Sequence, residues 1–294
     1  MGHLFGVSTF VWASPFSDER VHDLARHAKE LDFDVLEVCI EDPALVTTEA
    51  LLDAAREADV ALSVCGAFGP DRDVSHESPE RRSAGVAYLK TCIDIAAAVG
   101  SPHVAGPMFS ATGKARLLPD AEREQQRVWA AESLREVADY AAARGVTLAI
   151  EPLNRFETDL VNTVEQGLDL CTRIDRDNVG LLLDTFHMNI EEKSIADGIR
   201  SAGDRVFHMH MCENDRGTPG TGHVEWDDVF AALGSIGYEG QLVIESFTPA
   251  IEEIAKAVSL WRPLAPSEDE LAGEGVAFLR RMDAVSDAAG GRGA

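Results

Sequence analysis

Apolar positions along this chain switch between two periods. Short runs that are apolar almost throughout alternate with longer stretches in which apolar residues return every third or fourth position. The run Leu4-Phe-Gly-Val-Ser-Thr-Phe predicts a first strand. Residues 18–31 predict a helix, with Val21, Leu24, Ala25 and Ala28 on one stripe and Ser17 or Asp18 as the cap. The same alternation then repeats. Strands are predicted at 34–40, 60–65 and 103–106, and helices at 48–58, 79–99 and 119–144. Thr48 is a candidate cap, Pro79 suits a first helical turn, and Gly100 and Gly145 suit helix ends. In the second half, strands are predicted at 146–150, 179–183, 205–209 and 241–244, and helices at 163–174, 190–201 and 226–236. A last helical region spans 250–282, broken near Pro263 and Pro266. Eight strand–helix units in strict alternation predict a (β/α)8 TIM barrel of class α/β. A doubly wound sheet fits less well, because no Gly-x-Gly-x-x-Gly turn follows the first strand. With no Pro-, Gly- or Ser-rich linker, residues 1–294 are expected to form one domain, with about 286–294 as a frayed tail.

Composition narrows the class of function. The formal net charge is 26 − 51 = −25, which repels phosphate backbones and argues against a nucleic-acid partner. No run of eighteen apolar residues suggests a membrane partner. The start, Met1-Gly-His-Leu-Phe, lacks a basic region followed by an apolar one, so no signal peptide is expected. The five cysteines are scattered and never spaced Cys-x-x-Cys. That pattern disfavours a disulfide framework or a zinc cluster and points to a reducing cytoplasm.

The chemistry gathers where strands end. Strand five runs into Glu151 and stops at Pro152; strand six ends in Asp184, strand seven in His210, and strand eight in Glu245. The carboxyl ends of barrel strands converge on one face, where catalysis is found. Three carboxylates and one imidazole from four consecutive strands form a hard, oxygen-rich donor set suited to a divalent metal. Mn²⁺, Mg²⁺ or Co²⁺ would each suit it, with two positions left for a substrate. A lone carboxylate at a strand end is usually a helix cap or a loop anchor, but four on successive strands ask for a common reason. His208 shares a strand face with His210 and is expected to pack or hydrogen-bond behind it rather than ligate. Glu157, His187 and Arg216 lie just beyond these ends and are candidates to bind substrate hydroxyls or a carbonyl. Trp12, Phe68 and Phe247 are candidates for an apolar pocket wall.

Four stretches carry a resemblance: Glu-Pro-Leu-Asn-Arg-Phe-Glu-Thr from Glu151, Leu-Asp-Thr-Phe-His-Met-Asn-Ile-Glu-Glu around Asp184, His210 followed by Arg216-Gly-x-x-Gly-x-Gly, and the run from Gly237 through Glu245-Ser-Phe. The chain resembles the ketose 3-epimerases (D-tagatose, D-allulose or psicose, and L-ribulose 3-epimerases), a group of xylose-isomerase-like barrels. The likeness extends from the first strand to Trp261-Arg-Pro-Leu and Ala277-Phe-Leu-Arg, and the Asp184 motif is its most specific part. The resemblance implies metal ligands at Glu151, Asp184, His210 and Glu245, and substrate binding by Glu157, His187 and Arg216. It also implies an isomerase that inverts C3 of free ketoses through a cis-enediolate, with Glu151 and Glu245 as acid and base. A homodimer or homotetramer is implied as well. Cys212 stands where relatives often carry Gly, and the loop 106–115 differs among them, so the preferred sugar stays open.

The same barrel chemistry admits rivals. A sugar-acid or inosose dehydratase would use the same metal and a related enolate. A sugar-phosphate isomerase would use Gly217-Thr-Pro-Gly-Thr-Gly as a phosphate loop, although this stretch reads better as a pocket-shaping turn. The charge disfavours a metal-dependent endonuclease. An inactive sugar-binding barrel would lack a ligand, and all four are present.

Overall fold

Strand runs that are apolar throughout are covered on both faces, which is the habit of parallel sheets flanked by helices. The computed structural model describes residues 2–290 and closes eight such strands into a parallel barrel in sequence order. They are β1 Leu4–Ser8, β2 Val35–Ile40, β3 Ala61–Gly66, β4 His103–Gly106, β5 Thr147–Ile150, β6 Val179–Asp184, β7 Val206–His210 and β8 Gln241–Ile244. Pairing of Leu4 with Gln241 and of Val7 with Ile244 joins β8 back to β1. The helices are α1 Asp18–Glu30, α2 Thr48–Ala58, α3 Pro79–Val99, α4 Asp120–Ala142, α5 Val164–Ile174, α6 Thr185–Glu191, α7 Ile195–Ala202, α8 Trp226–Ile236, α9 Glu252–Ala257 and α10 Glu268–Gly290. The expected stripe of α1 is the buried one: Val21, Leu24, Ala25 and Ala28.

Several boundaries move for local reasons. β1 stops at Ser8, whose side chain accepts from the Phe10 N–H and starts a short 3-10 turn, Thr9–Val11. Thr47, one residue before the expected cap, accepts from the Ala50 N–H and starts α2. The helix expected at 190–201 is two helices. Asp184 caps α6 directly at the end of β6, the backbone is extended at Glu192, and Ser194 caps α7. α10 continues through 286–290, part of the expected tail, where an Ala pair favours helix. Residues 291–294, the rest of that tail, lie outside the described residues. The five cysteines are buried free thiols. No helix among the described residues is long and apolar enough to cross a membrane.

The inside of the barrel departs from the usual filling of branched aliphatic residues. Ala105, Ala149 and Leu182 form a small apolar patch. Beside it lie Glu37, Ser63, His103 and His208, all buried. Glu37 on β2 hydrogen-bonds His208 on β7, and the His103 and His208 rings meet with centroids 4.2 Å apart. β2 and β7 are not neighbours in the ring, so these contacts cross its interior.

Candidate metal centre and active site

Each candidate ligand is placed by the end of its strand. Glu151 follows β5, its N–H tied to the Gly106 carbonyl at 3.1 Å, and Pro152 prevents the strand from continuing. Asp184 and His210 are the last residues of β6 and β7, and Glu245 follows β8. One oxygen or nitrogen from each of the four lies within 4.8 Å of the others, and all four residues are buried. His210 Nδ1 stands 3.6 Å from Glu245 Oε2, 3.7 Å from Asp184 Oδ2 and 3.9 Å from Glu151 Oε1. Asp184 combines two roles that looked like alternatives. Its Oδ1 accepts from the Phe186 N–H at 2.7 Å as the cap of α6, while Oδ2 faces the cluster.

The electrostatics test whether a cation fits. Burial pushes the Glu151 carboxyl well above its ordinary range, and the charges of Glu245 and Asp184 push it further. Burial opposes the Asp184 charge too, but the Arg216 guanidinium and the nearby imidazoles hold it well below the usual carboxylate range. Glu245 is lowered against the same burial by His210 and Arg216. His210, whose charge burial disfavours, is driven well above its ordinary value by Glu37 and Glu245. Positive charge is therefore short at Glu151. Glu151 Oε1 and His210 Nδ1 are buried without a hydrogen-bond partner among the described residues, and they face one another. Two orphaned donor atoms beside two more carboxylates suit a divalent ion, with the imidazole ligating through Nδ1.

The three candidate substrate-binding residues come to the same place. Arg216 Nη1 donates to Glu245 Oε2 at 2.7 Å and to Asp184 Oδ2 at 3.1 Å. Its Nη2 lies 2.9 Å from His187 Nε2. His187 Nδ1 lies 3.0 Å from the Asn154 backbone N–H, so both ring nitrogens face donors and the neutral imidazole can accept from only one of them. The guanidinium thus meets the imidazole edge directly, and its other arm serves the two carboxylates. Glu157 is held by Asn154 Nδ2 at 2.8 Å. All three residues, with Glu151 and Glu245, line one cavity closed on its other sides by Phe10, Phe68, Leu153, Phe247, Ile254 and Val258. Pro107, Thr112 and Gly113 of the loop 106–115 also line it.

Some expectations are corrected. Trp12 is not in this wall; its ring N–H donates to Asp269 and its face meets His27. The stretch 217–222 does not line the cavity, and its backbone is already used: the Gly217 N–H goes to Asp215 and the Gly220 N–H to Glu213. It shapes the Arg216 loop and offers those donors to no phosphate. His208, by contrast, behaves as expected: it hydrogen-bonds Glu37 and stays out of the four-residue cluster.

Three residues near the site were assigned no contact with it from the sequence, although Cys212 was noted as a departure from relatives. Asn154 ties Glu157 to His187, but only the folded loop reveals it. The Cys212 thiol contacts Asp184 Oδ2 at 3.4 Å and the Glu245 carbonyl at 3.1 Å. Glu37 accepts from both His208 and His210. Its signal was visible: a lone carboxylate inside the apolar run Val-Leu-Glu-Val-Cys-Ile must have a buried partner. Glu37, His103 and His208 also bring ligand-type atoms within 4.8 Å of one another, although both Glu37 oxygens are already taken by imidazoles.

Comparison with known proteins agrees with this fold. The xylose isomerase-like TIM barrel family matches residues 25–282. A probable ketose 3-epimerase of Synechocystis sp. is 34% identical over 277 residues, covering 94% of this chain and 96% of that protein. A solved L-ribulose 3-epimerase superposes with a TM-score of 0.92 at 31% identity, covering 98% of this chain and 97% of the other. A D-allulose 3-epimerase from Methylomonas sp., solved in complex with D-allulose, superposes at 0.89 with 30% identity and coverages of 96% and 97%. The chain belongs to the xylose isomerase-like TIM barrels and, within them, to the ketose 3-epimerase family.

Proposed function

We propose that this ketose 3-epimerase family member inverts C3 of unphosphorylated ketoses, with the pairs D-tagatose/D-sorbose, D-fructose/D-allulose and L-ribulose/L-xylulose as the substrates to test. The observation that carries the reading is one cavity lined by Glu151 and Glu245, from the ends of non-adjacent strands, together with His187 and Arg216, with Asp184 and His210 buried against the same two glutamates. Glu151, Asp184, His210 and Glu245 would hold a divalent metal, and the hard donor set accepts Mn²⁺, proposed first, as well as Mg²⁺ or Co²⁺. When bound, such an ion supplies the Lewis acid that polarises the C2 carbonyl and makes the C3 hydrogen acidic.

The protein's own groups account for the rest. One glutamate takes the C3 proton from one face of the sugar, and the other delivers a proton to the opposite face, which inverts the centre. The configuration of the sugar decides which of Glu151 and Glu245 acts first. Arg216, held against His187 at the cavity wall, is the preformed donor for an oxygen gaining negative charge. Glu157, tied through Asn154 to His187, orients that imidazole or accepts from a hydroxyl. The aromatic wall of Phe10, Phe68 and Phe247 keeps water from the carbanion-like carbon. An unphosphorylated substrate accords with the engaged N–H groups of Gly217 and Gly220, and with the D-allulose held by the Methylomonas sp. relative.

The test is direct. Protein stripped of metal and reloaded with Mn²⁺ is incubated with D-fructose, D-tagatose or L-ribulose, and the products are separated by chromatography. D-allulose, D-sorbose or L-xylulose is expected. Dehydrated product without epimer would move the reading to a dehydratase, and no product from any of the three would remove free ketoses as substrates.

A further inference from the structure

We infer that Glu37 is a positioning residue for the metal centre: it accepts the Nε2 proton of His210 and so fixes the tautomer that turns the bare Nδ1 toward Glu151, Asp184 and Glu245. The inference rests on the reading of those residues as a metal centre. Glu37 lies on β2, across the barrel from β7, and its side chain is fully buried. Its two oxygens divide between two imidazoles. Oε1 lies 3.0 Å from His210 Nε2, and Oε2 lies 2.7 Å from His208 Nε2. The Ser63 hydroxyl reaches Oε2 at 3.4 Å. The far nitrogens of both rings, His208 Nδ1 and His210 Nδ1, have no partner among the described residues.

The stoichiometry of protons explains why a carboxylate stands here. Two ring N–H groups need two acceptors, and a carboxylate offers both on one side chain. An amide offers one acceptor and one donor. With Gln at this position, either the neutral His210 must carry its proton on Nδ1, among three carboxylates, or it keeps its tautomer and loses the negative charge behind it. Both outcomes weaken Nδ1 as a ligand. A buried carboxylate is costly compared with a packed aliphatic residue. A role in the network of Ser63, His103 and His208 alone would not need an oxygen on His210. Carboxylate–imidazole–metal relays of this kind raise ligand basicity and hold the ring in place.

The experiment reads metal binding rather than turnover. Metal-stripped wild type, Glu37→Gln and Glu245→Gln are titrated with Mn²⁺, with free ion counted by electron paramagnetic resonance and folding followed by circular dichroism. Glu37→Gln is expected to stay folded and to bind Mn²⁺ about ten- to a hundredfold more weakly. Affinity equal to wild type overturns the inference and leaves the metal centre standing. Wild type that binds no Mn²⁺, or binds it as well after Glu245→Gln, overturns the reading of the centre and the inference with it. A second measurement on the wild type decides the matter even if Glu37→Gln does not fold. [¹⁵N]histidine-labelled protein loaded with diamagnetic Zn²⁺ reports the His210 tautomer in long-range ¹H–¹⁵N spectra, assigned against His210→Gln. A proton on Nε2 supports the inference, and a proton on Nδ1 overturns it.

Discussion

At the scale of single residues, the site is defined by how few positive groups serve many carboxylates. Glu245 faces His210 Nδ1 at 3.6 Å and takes a hydrogen bond from Arg216 at 2.7 Å, so its charge is matched as far as the protein alone allows. Glu245→Gln keeps the shape and removes the basic oxygen. We expect a folded protein whose kcat falls by about 10²–10⁴-fold, the range for losing a general acid or base; near-normal turnover would take Glu245 out of the mechanism. Arg216 plays a different part. Its guanidinium occupies Asp184 Oδ2 and Glu245 Oε2, the oxygens a metal would also want. Arg216→Ala is therefore expected to lower kcat/KM by about 10²–10³-fold, as for a lost transition-state donor, while Mn²⁺ is held at least as tightly as before. Steady-state kinetics beside a Mn²⁺ titration checks both halves, and an unchanged kcat/KM would make Arg216 a bystander. The four clustered strand-end residues were legible in the sequence because strand ends in a barrel share one face, so position along the chain stands in for position in space. No such shortcut reaches Glu37, whose partners on β7 are 171 and 173 residues away. Trp12 misled for the opposite reason: an aromatic residue near a strand end is ambiguous until its neighbours, here Asp269 and His27, are known.

At the scale of elements, the segment between β7 and α8 is what presents Arg216, and one side chain organises it. Glu213 Oε1 accepts from the N–H groups of Asn214 at 3.1 Å and Val224 at 2.9 Å, and Oε2 accepts from the Gly220 N–H at 2.8 Å and Trp226 Nε1 at 3.0 Å. The Glu213 carbonyl also accepts from the Arg216 N–H at 2.9 Å, within a turn that holds Arg216 at φ +62. Burial opposes the Glu213 charge, but these donors outweigh it and keep the carboxyl below its ordinary value. Glu213→Gln replaces one acceptor oxygen by a donor facing an N–H group. The expected cost is about 1–3 kcal/mol, that of a buried unsatisfied group, accompanied by lower activity as Arg216 loses its support. The sign with pH follows from the lowered value. The stabilisation is present above the unfolded carboxylate's pKa and is lost as pH falls through the folded one. Denaturant titrations of both proteins should show a gap at neutral pH that closes in acid, and a gap constant with pH would assign the effect to packing. This turn is also where sequence reading ran short. Gly-Thr-Pro-Gly-Thr-Gly announced a tight loop, but only the fold shows that its N–H groups turn inward to a carboxylate. The helix expected at 190–201 fails for a related reason. The pattern of apolar positions ignores caps, and Ser194 starts a new helix where the pattern runs on.

At the scale of the whole molecule, an acidic protein concentrates part of its excess charge where water cannot reach it. Of a net −25, the buried residues Glu37, Glu151, Asp184 and Glu245 hold four carboxyl groups against the Arg216 guanidinium and the His210 imidazole. The eight strands bring those groups together, so the free energy of ion binding is also free energy of holding the barrel closed at its carboxyl-terminal face. A ligand bound by the folded state alone at a hundred times its Kd adds about 2.7 kcal/mol of stability. For a chain of this size that is worth roughly 4–5 °C in Tm. Mn²⁺ added to stripped protein should raise Tm by that order, and chelation should reverse the shift and abolish epimerisation together. The competing explanation is that cations merely screen the acidic surface, and it makes a different forecast. Screening depends on ionic strength, so NaCl at matched ionic strength would reproduce it, and Glu245→Gln, which alters one buried oxygen, would leave it intact. Site binding requires the opposite on both counts. A Mn²⁺ shift that survives Glu245→Gln undiminished would move the stabilisation to the surface, and full activity after exhaustive chelation would dissolve the metal centre as a reading of this barrel.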